Sequence, residues 1–89
     1  MDSAINRIRQ MEAYFDALSK ACAAAPKSLL TDDSLREMLR VLTEYYDGGQ
    51  WLRDYQADEA GLLPHDLKRG VLSEDGVYNL LCDIAQIEE

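Results

Sequence analysis

Eighty-nine residues, 10.1 kDa, with 47% hydrophobic and 29% charged side chains suit one folded domain that buries roughly 64% of its unfolded surface around a single core. A formal net charge of −8 argues against binding a phosphate backbone, which needs clustered Lys and Arg to release counterions. No window approaches the run of about 18 apolar residues of a membrane span, and the first ten residues lack a signal-peptide layout, so the expectation is a cytoplasmic protein with no membrane and no direct nucleic-acid contact.

The first helix is predicted over about Ser3 to Ala25, capped by Asp2 or Ser3. Ile5, Ile8, Phe15, Leu18 and Cys22 recur at helical spacing with Met11 beside them, and Arg7, Arg9, Glu12, Asp16 and Lys20 fall mostly off that stripe. Pro26 cannot continue the hydrogen-bond ladder and ends the helix. A second helix starts at Thr31 to Asp33 and runs to Tyr46, with Leu35, Met38, Leu39, Leu42 and Tyr46 inward. The first two helices pair antiparallel across their short link.

Asp47-Gly48-Gly49 makes a turn, since paired glycines accept positive φ. A shorter third helix covers about Gln50 to Ala60, with Trp51, Leu52, Tyr55 and Glu59 on its repeat and Gly61 as C-terminal cap. Residues 62–72 form a connector that packs on the bundle, with one helical turn from Pro64 to Gly70. The last helix starts with Ser73 as cap, Glu74 and Asp75 in its first turn, and Leu72 stapled to Val77. Val77, Leu80, Leu81 and Ile84 carry its apolar face, flanked by Tyr78 and Ile87. The fold class is therefore all-α: a small compact helical bundle, one domain over residues 1–89, with three main helices, one short helix and a packed connector.

The charge is lopsided: residues 1–43 hold six acidic and six basic side chains, residues 44–89 eleven and three. Tyr45 to Glu59 concentrates four aromatics and four carboxylates. With Gly61-Leu62-Leu63-Pro64-His65-Asp66-Leu67-Lys68-Arg69-Gly70-Val71-Leu72-Ser73-Glu74-Asp75-Gly76-Val77-Tyr78, this stretch resembles a small bacterial family catalogued only as a domain of unknown function, which shares a Tyr-Tyr, Trp, Asp-Tyr, Leu-Pro, Asp-Leu-Lys-Arg-Gly-Val-Leu-Ser-Glu-Asp layout. The resemblance implies a helical fold and a bacterial, cytosolic origin, and it assigns no activity to any residue.

Chemistry finds little to work with. Asp54 and Asp58, four apart, share a helix face and with Glu59 could offer Mg²⁺ a carboxylate site, which makes a Mg²⁺-dependent enzyme one alternative. A lone His65, the lack of Glu-x-x-His repeats and the lack of any nucleophile motif around Ser73 leave no catalytic residue, metal ligand or cofactor assigned. Gly48-Gly49 lacks the Lys and Ser/Thr of a phosphate loop. Cys22 and Cys82, 60 positions apart, read as buried free thiols.

Trp and Tyr are enriched in interface hot spots, so Tyr45, Tyr46, Trp51, Asp54, Tyr55 and Asp58 are the candidate partner-binding residues. Adjacent Tyr45 and Tyr46 point about 100° apart, and one of them faces out or covers the bundle end. Glu59, Pro64, Asp66, Lys68, Arg69 and Ser73 are assigned to the structural connector, with Asp54, Asp58 and Asp66 accepting hydrogen bonds from Arg53, Lys68, Arg69 or loop amides. The leading function is a non-catalytic protein-interaction or regulatory accessory module whose partner is an unidentified protein or a second copy of the chain. The other alternative is an acidic inhibitor or nucleic-acid mimic in a basic groove.

Overall fold

A 23-residue first helix, α1 (Asp2–Ala24), sets the length of the molecule: at 1.5 Å per residue it spans about 35 Å of a longest extent of 38 Å. The computed structural model describes residues 2–73 and 75–88, and the side chains of Asp2 and Ser3 lie outside the described set, as does Glu74. The expected cap by Asp2 or Ser3 therefore falls outside the described residues. The α1 stripe is inward as read: Ile8, Met11 and Leu18 are buried, with Ile5, Phe15 and Cys22 packed against them.

Beyond α1 the link holds an element that the pattern did not predict, a single turn α2 (Ser28–Thr31). Pro26 and Lys27 begin it: the amides of Leu29 and Leu30 donate to their carbonyls at 3.1 and 3.0 Å. The turn seats Leu29 in the core, 1% exposed, and Arg36 holds the Leu29 carbonyl at 3.2 Å. One apolar residue in a four-residue turn carries no period, which is why it was invisible.

The third helix, α3 (Asp33–Asp47), is capped by Asp32, whose carboxylate accepts from the Leu35 amide at 3.1 Å. It packs along α1, and Val41 and Tyr45 near its C-terminal end lie beside Arg7 and Met11 near the start of α1, which is the antiparallel pairing expected. At the bend Gly49 has φ +93°, a left-handed conformation that a side chain would strain. The fourth helix, α4 (Gln50–Glu59), then closes in a Schellman motif: Gly61 donates to Asp58 and Leu62 to Ala57, both at 3.0 Å.

The connector after α4 belongs to the core. Leu63, Leu67, Val71 and Leu72 are all buried. Pro64 opens a turn, its carbonyl accepting from Leu67 at 3.3 Å, but the helical turn expected from Pro64 to Gly70 is displaced to a 3-10 turn at Gly70–Leu72.

The last helix, α5 (Gly76–Glu88), starts later than predicted. Ser73 does not sit at its start: the hydroxyl donates to the Gly70 carbonyl at 2.9 Å and closes the 3-10 turn. The Asn79 amide donates to the Asp75 carbonyl at 2.9 Å as the helix opens. Gly76 is needed because a Cβ there would meet the Ser73 hydroxyl, the Gly70 carbonyl and the Phe15 ring. Leu72 and Val77 are both buried, in keeping with the staple. Among the described residues there is no strand, and no helix is long and apolar enough to cross a membrane. The molecule is an all-α small bundle.

Candidate functional site

The most demanding group in the structure is Asp54, a carboxylate only 3% exposed near the middle of α4. Removing a carboxylate from water costs several kcal/mol unless it is paired and hydrogen-bonded. Here the Arg7 guanidinium donates from Nε at 3.0 Å and from Nη2 at 2.6 Å, and the Tyr45 hydroxyl donates to Oδ2 at 2.6 Å. Three donors meet one carboxylate and tie α1, α3 and α4 together at a single point.

The cluster corrects three expectations. Tyr45, not Tyr46, is the tyrosine buried within α3, because its ring must reach Asp54. Leu52, read as inward, is 50% exposed, and Asp54 occupies the buried face of α4 instead. Tyr45 and Asp54 are inside the fold and satisfied by each other and Arg7, so their chemistry goes to assembly and leaves them inaccessible to a partner. Arg7 was read as off the stripe. Its signal was a single cation at the flank of an apolar stripe, which has no meaning until its partner 47 positions away is known.

Burial pushes the Tyr45 phenol well above its ordinary 10.0, and donation to Asp54 adds to the shift. A raised folded value means the stabilisation is whole below the unfolded value near 10.0 and is lost as pH rises above it toward the folded value. Alkaline titration should accordingly show a component of phenolate absorbance that appears well above the ordinary tyrosine range in the folded protein and is missing in Tyr45→Phe. Stability should fall more steeply above pH 10 in the parent than in Tyr45→Phe, and equal slopes would refute the assignment.

The second polar cluster fastens the connector. Val71 donates its amide to Glu12 Oε1 at 2.8 Å, and its carbonyl accepts from the Trp51 indole at 2.8 Å. Side chains from α1 and α4 thus satisfy both backbone groups of one connector residue. Arg69 Nε lies 2.6 Å from Asp58 Oδ1, and its Nη2 donates to the Pro64 carbonyl at 2.5 Å, the kind of carboxylate-held connector that the sequence suggested. Asp66 and Lys68 instead lie exposed on the rim of a groove of about 470 Å³ beside α1, and Glu59 and His65 are exposed. Glu12 was the missed member of this cluster.

Asp54 and Asp58 share α4 as expected, but each is held by an arginine, so a cation would have to displace both. Among the described residues, no group of three or more His, Cys, Asp or Glu is placed to hold a metal ion. Cys22 and Cys82 are free but only partly buried, where full burial was expected.

What remains at the surface is a row of aromatic rings. Trp51 meets Tyr46 edge-on at 5.1 Å and stacks on Tyr55 at 5.0 Å, and all three are partly exposed. Tyr78 on α5 is 56% exposed; its phenol is raised by hydrogen bonding to Cys82, and Tyr46 lies close enough to add to that shift. The rings in contact come from α3 and α4; Tyr78 stands beside them on α5, one turn before Leu81, which shares a groove with Leu39 and Thr43 of α3, and sequence reasoning left it as a mere flank.

These features define a small all-helical domain closed by a buried connector and an internal Arg-Asp-Tyr cluster, with an aromatic row outside. The chain belongs to the DUF4298 family, a domain of unknown function whose family model matches residues 8–89. No curated protein and no solved structure matches it.

Proposed function

We propose that this domain is a non-catalytic protein-interaction or regulatory accessory module, cytoplasmic in setting, that engages a protein partner through Tyr46, Trp51, Tyr55 and Tyr78. The observation that carries the reading is the aromatic row itself. Tyr78 and the neighbouring Leu52, three positions from Tyr55 on α4, are at least half exposed, although burying such side chains is worth about 1.5–3 kcal/mol each. Large aromatic rings held in place by the core present rigid area at low entropic cost, as interface hot spots do. Free Cys22 and Cys82 suit a reducing compartment.

Nucleic-acid mimicry draws less support. A mimic needs carboxylates spaced along one face, whereas Glu12, Asp54 and Asp58 turn to internal partners and Glu37 and Glu44 both pair with Arg40.

A benzophenone-bearing phenylalanine placed at position 78 in cells tests the reading. Discrete protein adducts are expected there and not with the same group at position 30, where Leu30 is also exposed but lies on α2, away from the row. Adducts should fall about tenfold when Tyr55 is also changed to Leu. Identical adduct patterns at both positions, or none at 78, would overturn it.

A further inference from the structure

We infer that the occupant of the aromatic row is an arginine-bearing basic segment of another protein; this rests on the interaction-module reading and adds the chemistry of the partner. Three observations point the same way. First, Tyr46, Trp51 and Tyr55 form a contiguous, partly exposed group of rings, and the indole nitrogen of Trp51, its sole donor, is committed to the Val71 carbonyl, so what Trp51 leaves exposed is ring carbon and not a hydrogen-bonding edge. Aromatic faces attract cations through the ring quadrupole, and a planar guanidinium stacks on such faces better than an ammonium.

Second, the acids around the row are exposed. Asp47 follows Tyr46 directly, Glu59 lies one turn beyond Tyr55 on α4, and Asp75 lies one turn before Tyr78. Competing cations are absent from that side among the described residues of α4: Arg53 sits about 160° around the helix from Tyr55. Arg69, the nearby connector cation, is already bound to Asp58 and the Pro64 carbonyl.

Third, a second copy of the chain is a poor occupant. It would bring another net charge of −8 to a surface that is already acidic, and like charges at an interface oppose association.

The test uses the full chain and three synthetic peptides of equal length, in which Arg, Lys or Glu alternates with Ser. Trp51 emission and backbone amide resonances report the contact at fixed moderate salt. The arginine peptide should shift the resonances of α4 and of the start of α5, and bind about threefold more tightly than the lysine peptide, with no binding of the glutamate peptide. Tyr78→Leu, which alters an exposed side chain, and Glu59→Lys should each weaken arginine-peptide binding about threefold while leaving the thermal midpoint in place.

Equal arginine and lysine affinities that ignore Tyr78→Leu would reduce the effect to general acidic attraction and overturn the inference. Absence of binding to any peptide would overturn it too. If peptides fail while Tyr55-dependent adducts persist at position 78, the interaction module stands and only the basic partner falls. If the adducts also vanish, both fall.

Discussion

Replacing Arg7 by methionine is expected to lower the unfolding free energy by about 3 kcal/mol, read as a drop in the urea midpoint at unchanged slope. The substitution keeps most of the apolar stem but removes two of the three donors to Asp54, leaving a carboxylate 3% exposed with only the Tyr45 hydroxyl. Breaking one side of a buried pair costs about 3–5 kcal/mol; the lower end applies because the Arg7 side chain is 29% exposed and water screens part of the interaction. A domain of this length has about 4–13 kcal/mol in total, so the loss is a large share.

The converse experiment separates stability from specificity. Changing Arg7 to Met, Asp54 to Leu and Tyr45 to Phe together should restore most of the loss, because apolar groups of similar volume need no partners. A loss below about 0.5 kcal/mol for Arg7→Met would show that the pair behaves like a solvated surface bridge.

Truncating Leu72 to alanine should cost about 3 kcal/mol, within the range of buried leucine truncations. Leu72 is 2% exposed in the 3-10 turn and packs with Val71 and Val77, so its removal opens a void between the connector and α5. Trp51 emission and far-ultraviolet circular dichroism should melt together in this variant, since the indole is bonded to the connector while the dichroism reports the helices. An early change in Trp51 emission, ahead of helix loss, would mean that the connector comes away as a separate unit and that the bundle does not need it.

The features legible in the sequence are the ones fixed locally. Pro26 stops α1, Asp32 caps α3, and the Gly48-Gly49 and Gly61 positions end their helices through turn chemistry contained within a few residues. The α1 stripe and the apolar residues of the connector announce burial because both are hydrophobic. Asp54 is the opposite case: periodicity places a carboxylate outward, and only the arrival of Arg7 and Tyr45 from two other helices makes its burial tolerable.

The twin tyrosines failed for a related reason. Both flank the same α3 stripe, so the choice between them was decided by a neighbour on α4 that no pattern within α3 contains. The aromatic row was half visible: Trp51 and Tyr55 are four apart on one helix, whereas Tyr46 meets Trp51 only once α3 and α4 are folded about the Gly48-Gly49 bend. Ser73 carried the cap, acidic first turn and staple signals of a helix start, though Gly76 left it without a capping box, and it was taken instead by the turn before it, since Gly70 offered its carbonyl three residues away.

Val71 gives this arrangement a built-in reporter. Its N–H is held by a carboxylate 59 positions earlier, so no helical ladder shields that proton. Deuterium should enter there only when the long first helix and the returning segment part company, making this one amide a clock for that separation and blind to the fraying of any helix end.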